Sequence, residues 1–251
     1  VSAGYNKHAA GWKVRQGGLL NNAVKLGGPL WRALPQSRNG KLTNKFRQLN
    51  RFAEGAKLSA ADRYWRWATF QNEAESKALL HPAIRSKVEG AVSATVQKEF
   101  TFGIAGGDFN EVLLADMNLV LVSDMLVKVD MMSMANSLEV RSPFLDHHVV
   151  DFAFGLPTAY KVDAKMKKRI VQDAFRNLLP DEIYNRPKKG FEIPLLDWFR
   201  NELWSLINDD LLSDAFIKEQ EVFDLAAIQA LKAKLHSSNP GDSHATIWAL
   251  I

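Results

Sequence analysis

The chain has 251 residues, of which 47% are hydrophobic and 24% charged, enough for one large domain or two small ones around a substantial core. It contains no cysteine, which excludes disulfides, thiolate-bound zinc and a thiol nucleophile and fits a reducing cytoplasm. The net charge of +4 and the pI of 9.2 fit either an ordinary lysine-rich surface or a partner that carries phosphate. No Lys/Arg run exceeds three residues, so no nucleic-acid-binding arm is expected. No apolar run reaches the roughly 18 residues of a membrane span, and the opening VSAGYNKH has no signal-peptide core.

Residues 7–25 read as helix with a break at Gly17-Gly18, because each interior glycine costs about 1 kcal/mol against alanine. Gly27-Gly28-Pro29 and Arg38-Asn39-Gly40 are turns on either side of a short helical piece at residues 30–34. Residues 41–56 place Leu42, Phe46, Leu49 and Phe52 at helical spacing. Ser59 caps the next helix, with Asp62 three positions on. Trp65, Trp67 and Phe70 make that helix aromatic; core packing and a stacking face for bases are the two readings. Residues 85–101 are helical again. Residues 102–108 form a loop whose Asp108 caps a strongly periodic stretch at residues 110–135, with a break expected near Val122-Ser123. Five methionines lie between Met117 and Met134 and read as a flexible core seam, with a methionine-lined pocket as the alternative.

Residues 127–151, VKVDMMSMANSLEVRSPFLDHHVVD, are the densest run of charged groups set in apolar sequence. They turn at Ser142-Pro143 and enter a helix over residues 145–155. Glu139 and Arg141 lie two apart there, and a charge inside apolar sequence must be paired or used. A structural ion pair and a functional site both satisfy that rule. His147 and His148 sit about 100° apart on a helix, so no metal site is expected. Residues 166–179 form an amphipathic helix stopped by Pro180. Extending its phase backwards puts Lys167 and Lys168 on or beside the apolar face, and periodicity does not choose between them. Residues 186–190, RPKKG, are a rigid basic loop, either a solvated turn or a contact for an anion. Pro194 starts another helix, residues 224–235 form one more, and ATIWALI closes the chain as helix or strand. No strand pattern suggests a central sheet, so the fold class is mainly α over a single region, residues 1–251.

LVKVDMMSMANSLEVRSPFLDHHVVDFAFGLP resembles the signature block of glutamine-hydrolysing asparagine synthetases, which runs close to LVKVDRMSMAHSLEVRSPFLDHRLVEFA. KKRIVQDAFRNLLPDEIYNRPKKGFEIPLLDWFR and GYNKH resemble further family blocks in the same order. The strong likeness covers residues 4–8 and 117–204. It implies the helical C-terminal portion of an α/β ATP-pyrophosphatase-type synthetase domain, like the adenine nucleotide α-hydrolases. The glutaminase domain, the nucleotide-binding sheet and the SGGxDS loop would lie outside this chain.

The resemblance further implies an ATP- and Mg2+-dependent ligase with aspartate, ATP and glutamine-derived ammonia as partners and β-aspartyl-AMP as intermediate. It assigns Lys168 to the adenylate site, Glu139, Arg141 and Asp146 to the substrate pocket, and Lys188 and Lys189 to the pyrophosphate side. Met131 and Gln172 stand where the family carries arginine. This chain alone is expected to bind no ATP tightly and to self-associate as a homo-oligomer through exposed apolar surface. The implied location is cytoplasmic, with neither nucleic acid nor membrane as partner. A β-lactam synthetase or peptide cyclase, and a non-catalytic helical interaction domain, are the competing readings.

Overall fold

The computed structural model describes residues 3–38, 40–88, 91–105, 108–185 and 193–251. The chain is mainly helical, as its pattern predicts. Among the described residues no strand forms, and two isolated antiparallel bridges join Leu80 to Phe223 and Val162 to Lys167. Where the sequence pattern treats residues 1–251 as one region, the chain divides into two compact units. One is Val1–Asn22, Ala56–Ala68 and Gln97–Lys188; the other is Ala23–Gly55, Thr69–Val96 and Lys189–Ile251.

In the first unit, Gly17 (φ +67°) and Gly18 (φ +100°) break the early helical run after Asn6–Gln16, a conformation that costs glycine little. Helix Asn6–Gln16 packs on helices Ala60–Ala68 and Phe109–Asp116. Ala3, Phe109, Leu113 and Val162 form one buried cluster, with Trp12 and Phe154 against it. Tyr64, Ile104 and Ala115 form a second. The predicted caps hold: Ser59 Oγ accepts from the Asp62 amide at 3.1 Å, and Asp108 accepts from the Asn110 amide at 3.0 Å.

Two expectations for residues 110–135 do not hold. The run does not break at Val122-Ser123; it widens into a π-helix, Met117–Leu126, and returns to α over Val127–Met134. Nor are the methionines a core seam, since Met131, Met132 and Met134 are exposed. Helical periodicity reports an apolar face; it does not report what covers that face.

In the second unit, helices Leu195–Arg200, Asp214–Gln220, Leu225–His236 and Ser243–Leu250 enclose Leu196, Phe199, Ile207, Leu212, Ile217, Ile228, Leu231, Leu235 and Ile247. The closing ATIWALI is therefore helical. Asp242 draws in Arg38, Arg47 and Arg51 at 3.1, 3.5 and 3.5 Å. No helix of the described chain is long and apolar enough to cross a membrane.

Phe199 is fully buried, whereas Phe152 is 63% exposed. Phe199→Ala should cost about 3–5 kcal/mol by urea unfolding through the cavity it leaves, and Phe152→Ala less than about 1 kcal/mol.

Candidate functional site

The site is built around a turn. The Asp163 carboxylate accepts from the amides of Lys165 and Met166, each at 2.8 Å, and those bonds hold it below the usual carboxylate range. The Asp163 amide donates to the Met166 carbonyl at 3.0 Å, and Val162 bridges to Lys167. This turn consumes the residues that periodicity assigns to the start of a helix. The helix therefore begins one residue after Lys168, as Arg169–Ala174, and a 3-10 turn, Arg176–Leu178, follows it. Neither Lys167 nor Lys168 stands on a helix face.

Lys168 instead takes the left-handed conformation (φ 55°, ψ 37°), which is costly for a residue with a Cβ and is characteristic of functional sites. Gln172 secures it: its amide side chain donates to the Lys167 carbonyl at 2.6 Å, and its backbone N–H donates to the Lys168 carbonyl at 3.0 Å. The Lys168 stem lies against Gly4, where an added Cβ would come within 2.7 Å of Lys168 Cε. Beside it, Lys167 Nζ donates to Asn6 Oδ1 at 2.7 Å. The segment Gly4–His8 and the pair Lys167–Lys168 are thus neighbours, although about 160 positions separate them in the chain.

The Gly4–His8 segment is anchored from below by Asp116, the last residue of helix Phe109–Asp116. Its buried carboxylate accepts from Lys7 Nζ, from His8 Nε2 at 3.1 Å and from Tyr64 Oη at 3.3 Å. Burial alone would raise the Asp116 carboxyl, but the His8 hydrogen bond and the Lys7 charge outweigh it and hold the group below its ordinary value. Burial lowers His8 and outweighs the pull of Asp116. The His8–Asp116 contact is therefore a hydrogen bond from a neutral imidazole. Its tautomer follows from the other ring nitrogen: Nδ1 accepts the Tyr5 N–H at 3.3 Å, so Nε2 carries the proton. Burial also raises the Tyr64 hydroxyl, and the Asp116 charge adds to that effect. Sequence reasoning passes over Asp116, although it is an isolated charge in the apolar run EVLLADMNLV.

The other predicted residues lie apart from this arrangement. Glu139 and Arg141 pair with each other, but their side chains are 67% and 85% exposed, so this is a surface pair and not a buried one. Asp146 caps helix His147–Gly155, with Oδ1 accepting from the His148 amide at 2.9 Å. Among the described residues, no ion pair or hydrogen bond joins Glu139, Arg141 or Asp146 to Lys168. Lys188 and Lys189 fall outside the described residues. The His147 and His148 rings lie 3.8 Å apart instead of diverging as helical phase predicts. With Asp146 they bring three potential ligand atoms within 4.8 Å of one another, all exposed.

A family model described as asparagine synthase matches residues 1–251, and the chain belongs to that family. Glutamine-hydrolyzing asparagine synthetase 1 of Bacillus subtilis is 30% identical over 155 residues, 61% of this chain and 23% of that protein. A putative glutamine-hydrolyzing asparagine synthetase of Mycobacterium tuberculosis is 30% identical over 131 residues, 52% of this chain and 20% of that protein. Amidase chry2 of Gibberella zeae is 31% identical over 106 residues, 40% of this chain and 16% of that protein. The chain thus spans less than a quarter of the length of these relatives. No solved structure matches it significantly.

Gly4→Ala should leave stability nearly unchanged, since the obstructing atom is the end of a flexible side chain, yet it should displace the Lys168 ammonium. A changed Lys168 signal in NMR of the methylated protein at an unchanged melting temperature is the expected pair of results. His8 binds its proton more weakly folded than unfolded, so stability should fall as pH drops through about 6.5, the unfolded value. Burial gives His244 the same direction, so the assignment rests on His8→Gln reducing this loss in urea titrations between pH 7 and 5.

Proposed function

We propose that this chain supplies one wall of the adenylation site of a glutamine-hydrolysing, ATP-dependent ligase that makes asparagine from aspartate. The observation that carries the reading is the meeting of Lys168 with Gly4. Two segments far apart in the chain, each resembling a family block, converge on one left-handed lysine. In the proposed reaction a β-carboxylate oxygen of aspartate attacks the α-phosphorus of ATP. Pyrophosphate leaves, and β-aspartyl-AMP forms. Ammonia then attacks the acyl carbon and AMP departs. The Lys168 ammonium opposes the negative charge that develops between the carboxylate and the α-phosphate. By the family resemblance, Glu139, Arg141 and Asp146 are assigned to the substrate pocket and Lys188 and Lys189 to the pyrophosphate side.

The described residues fit this role only in part. They offer a cation for the phosphates but no buried oxygen cage for Mg2+, since the one cluster of three potential ligands, at Asp146–His148, is exposed and contains two imidazoles. The adenine- and metal-holding groups are therefore assigned to the remainder of a longer protein, and this chain alone should bind ATP weakly. The proposed setting is cytoplasmic, and the exposed apolar residues between Val127 and Phe152 support the proposal that the isolated chain forms homo-oligomers.

One observation favours a second reading, an adenylating family member that acts on another carboxylate. The chain is 31% identical over 106 residues to amidase chry2 of Gibberella zeae, whose name is not that of an asparagine synthetase.

Lys168→Ala in the longer protein should reduce aspartate-dependent pyrophosphate release by roughly 100-fold or more. Release that does not depend on aspartate would favour the second reading, and wild-type release by Lys168→Ala would remove the role of that lysine. Calorimetric titration of ATP into the 251-residue chain should give no micromolar binding.

A further inference from the structure

We infer that Asp116 is a positioning residue, whose buried carboxylate sets the location of Lys168 without touching substrate. The inference rests on the proposed role of Lys168 and adds a group that no part of that proposal requires. Three observations lead to it.

The first is the cost of the group itself. Burying the carboxylate of Asp116, a residue that is 7% exposed, is costly unless its partners offset the lost hydration. Its presence is accounted for by what it holds. It gathers donors from two other helices: Lys7 and His8 from Asn6–Gln16, and Tyr64 from Ala60–Ala68. It also stands where the α-helix ends and the π-helix Met117–Leu126 begins.

The second is direction. Two of the three contacts of Asp116, those with Lys7 and His8, reach the segment that bears on Lys168, and the third goes to Tyr64. From Asp116 the path runs to His8 Nε2, then from His8 Nδ1 to the Tyr5 amide. Tyr5 lies between Gly4, which touches the Lys168 stem, and Asn6, which accepts from Lys167. Every link is a hydrogen bond, a covalent neighbour or a van der Waals contact. None passes through solvent-exposed side chains on the Glu139–Arg141 surface.

The third is the fixed tautomer. His8 can serve as a link only while neutral. A second proton on Nδ1 would face the Tyr5 N–H, placing donor against donor. The group that faces His8 from the neighbouring elements is Asp116, joined by Lys7 on the same helix, and Tyr64 shares that carboxylate. Burial keeps His8 neutral against the pull of Asp116, and Asp116, by accepting from Nε2, selects the tautomer whose Nδ1 accepts from Tyr5. A neutral amide at position 116 keeps one accepting oxygen and puts a donating NH2 in place of the other, and it leaves the Lys7 ammonium without its counter-charge.

The test uses Asp116→Asn, Asp116→Glu and His8→Gln. In the 251-residue chain, 13C-methylated lysines report the environment of Lys168, assigned by the loss of its signal in Lys168→Ala. Asp116→Asn should shift the Lys168 signal while the signals of second-unit lysines such as Lys232 stay in place. In the longer protein, the same change should lower kcat for pyrophosphate release roughly 10- to 100-fold, as a misplaced catalytic group does, with KM for ATP changed less than about twofold. Asp116→Glu, which keeps the charge, should recover part of kcat. An unshifted Lys168 signal in a folded Asp116→Asn protein overturns the inference. So does a fall in kcat that Asp116→Glu does not relieve and that matches the fraction unfolded at the assay temperature. Should Asp116→Asn fail to fold, His8→Gln breaks the same path at its next link and must shift Lys168 for the inference to stand. Failure of the underlying reading looks different: Lys168→Ala would remain active while Asp116→Asn still moved the Lys168 signal.

Discussion

The first unit depends on one buried carboxylate. Asp116 accepts from a lysine, a neutral histidine and a tyrosine that arrive on two different helices, and these bonds offset the cost of burying its charge. The opposing contributions are visible in the titrating groups. Burial pushes the carboxyl up and the imidazole down. The mutual contacts bring the carboxyl back below its ordinary value, whereas the imidazole stays neutral. A carboxylate with three donors is directional in a way that apolar packing is not. It fixes the start of helix Asn6–Gln16 at one place and in one orientation on its neighbours.

That fixed start is one side of the candidate site, and the turn at residues 163–168 is the other. Two backbone amides on the Asp163 carboxylate close the turn, and the Val162–Lys167 bridge closes it again. The next residue, Lys168, is left in the left-handed region. Gln172 then holds the carbonyls on either side of the Lys167–Lys168 junction. Strain of this kind persists only where the surroundings over-determine it, and here a turn, a bridge and a helix start do so together. The result is an exposed lysine whose stem lies against Gly4.

Much of this chain was legible from its residues. The helix break at Gly17-Gly18, the helix start after Pro194, the caps at Ser59 and Asp108, and the helix within residues 224–235 follow from local rules that act within one or two turns. The errors share a cause. Periodicity carried a helix backwards through Lys168 because it could not register an acidic side chain capping its own turn. It made a core of Met131, Met132 and Met134 because an apolar face looks the same covered or bare. The rule that a charge in apolar sequence must be paired or used pointed to Glu139 and Arg141, which are exposed. The charge that meets it is Asp116.

The sequence by itself determined the helical class, the places where helices start and stop, and membership in the asparagine synthase family, because these rest on short-range propensity and on long ordered motifs. Only the tertiary structure decided that Asp116 answers Lys7, His8 and Tyr64, and that Lys168 answers Gly4. The partners in those contacts are 52 to 109 positions apart at Asp116. No local pattern encodes such pairings. They are selected by which burial leaves every charge with a partner, and that is a property of the packed chain.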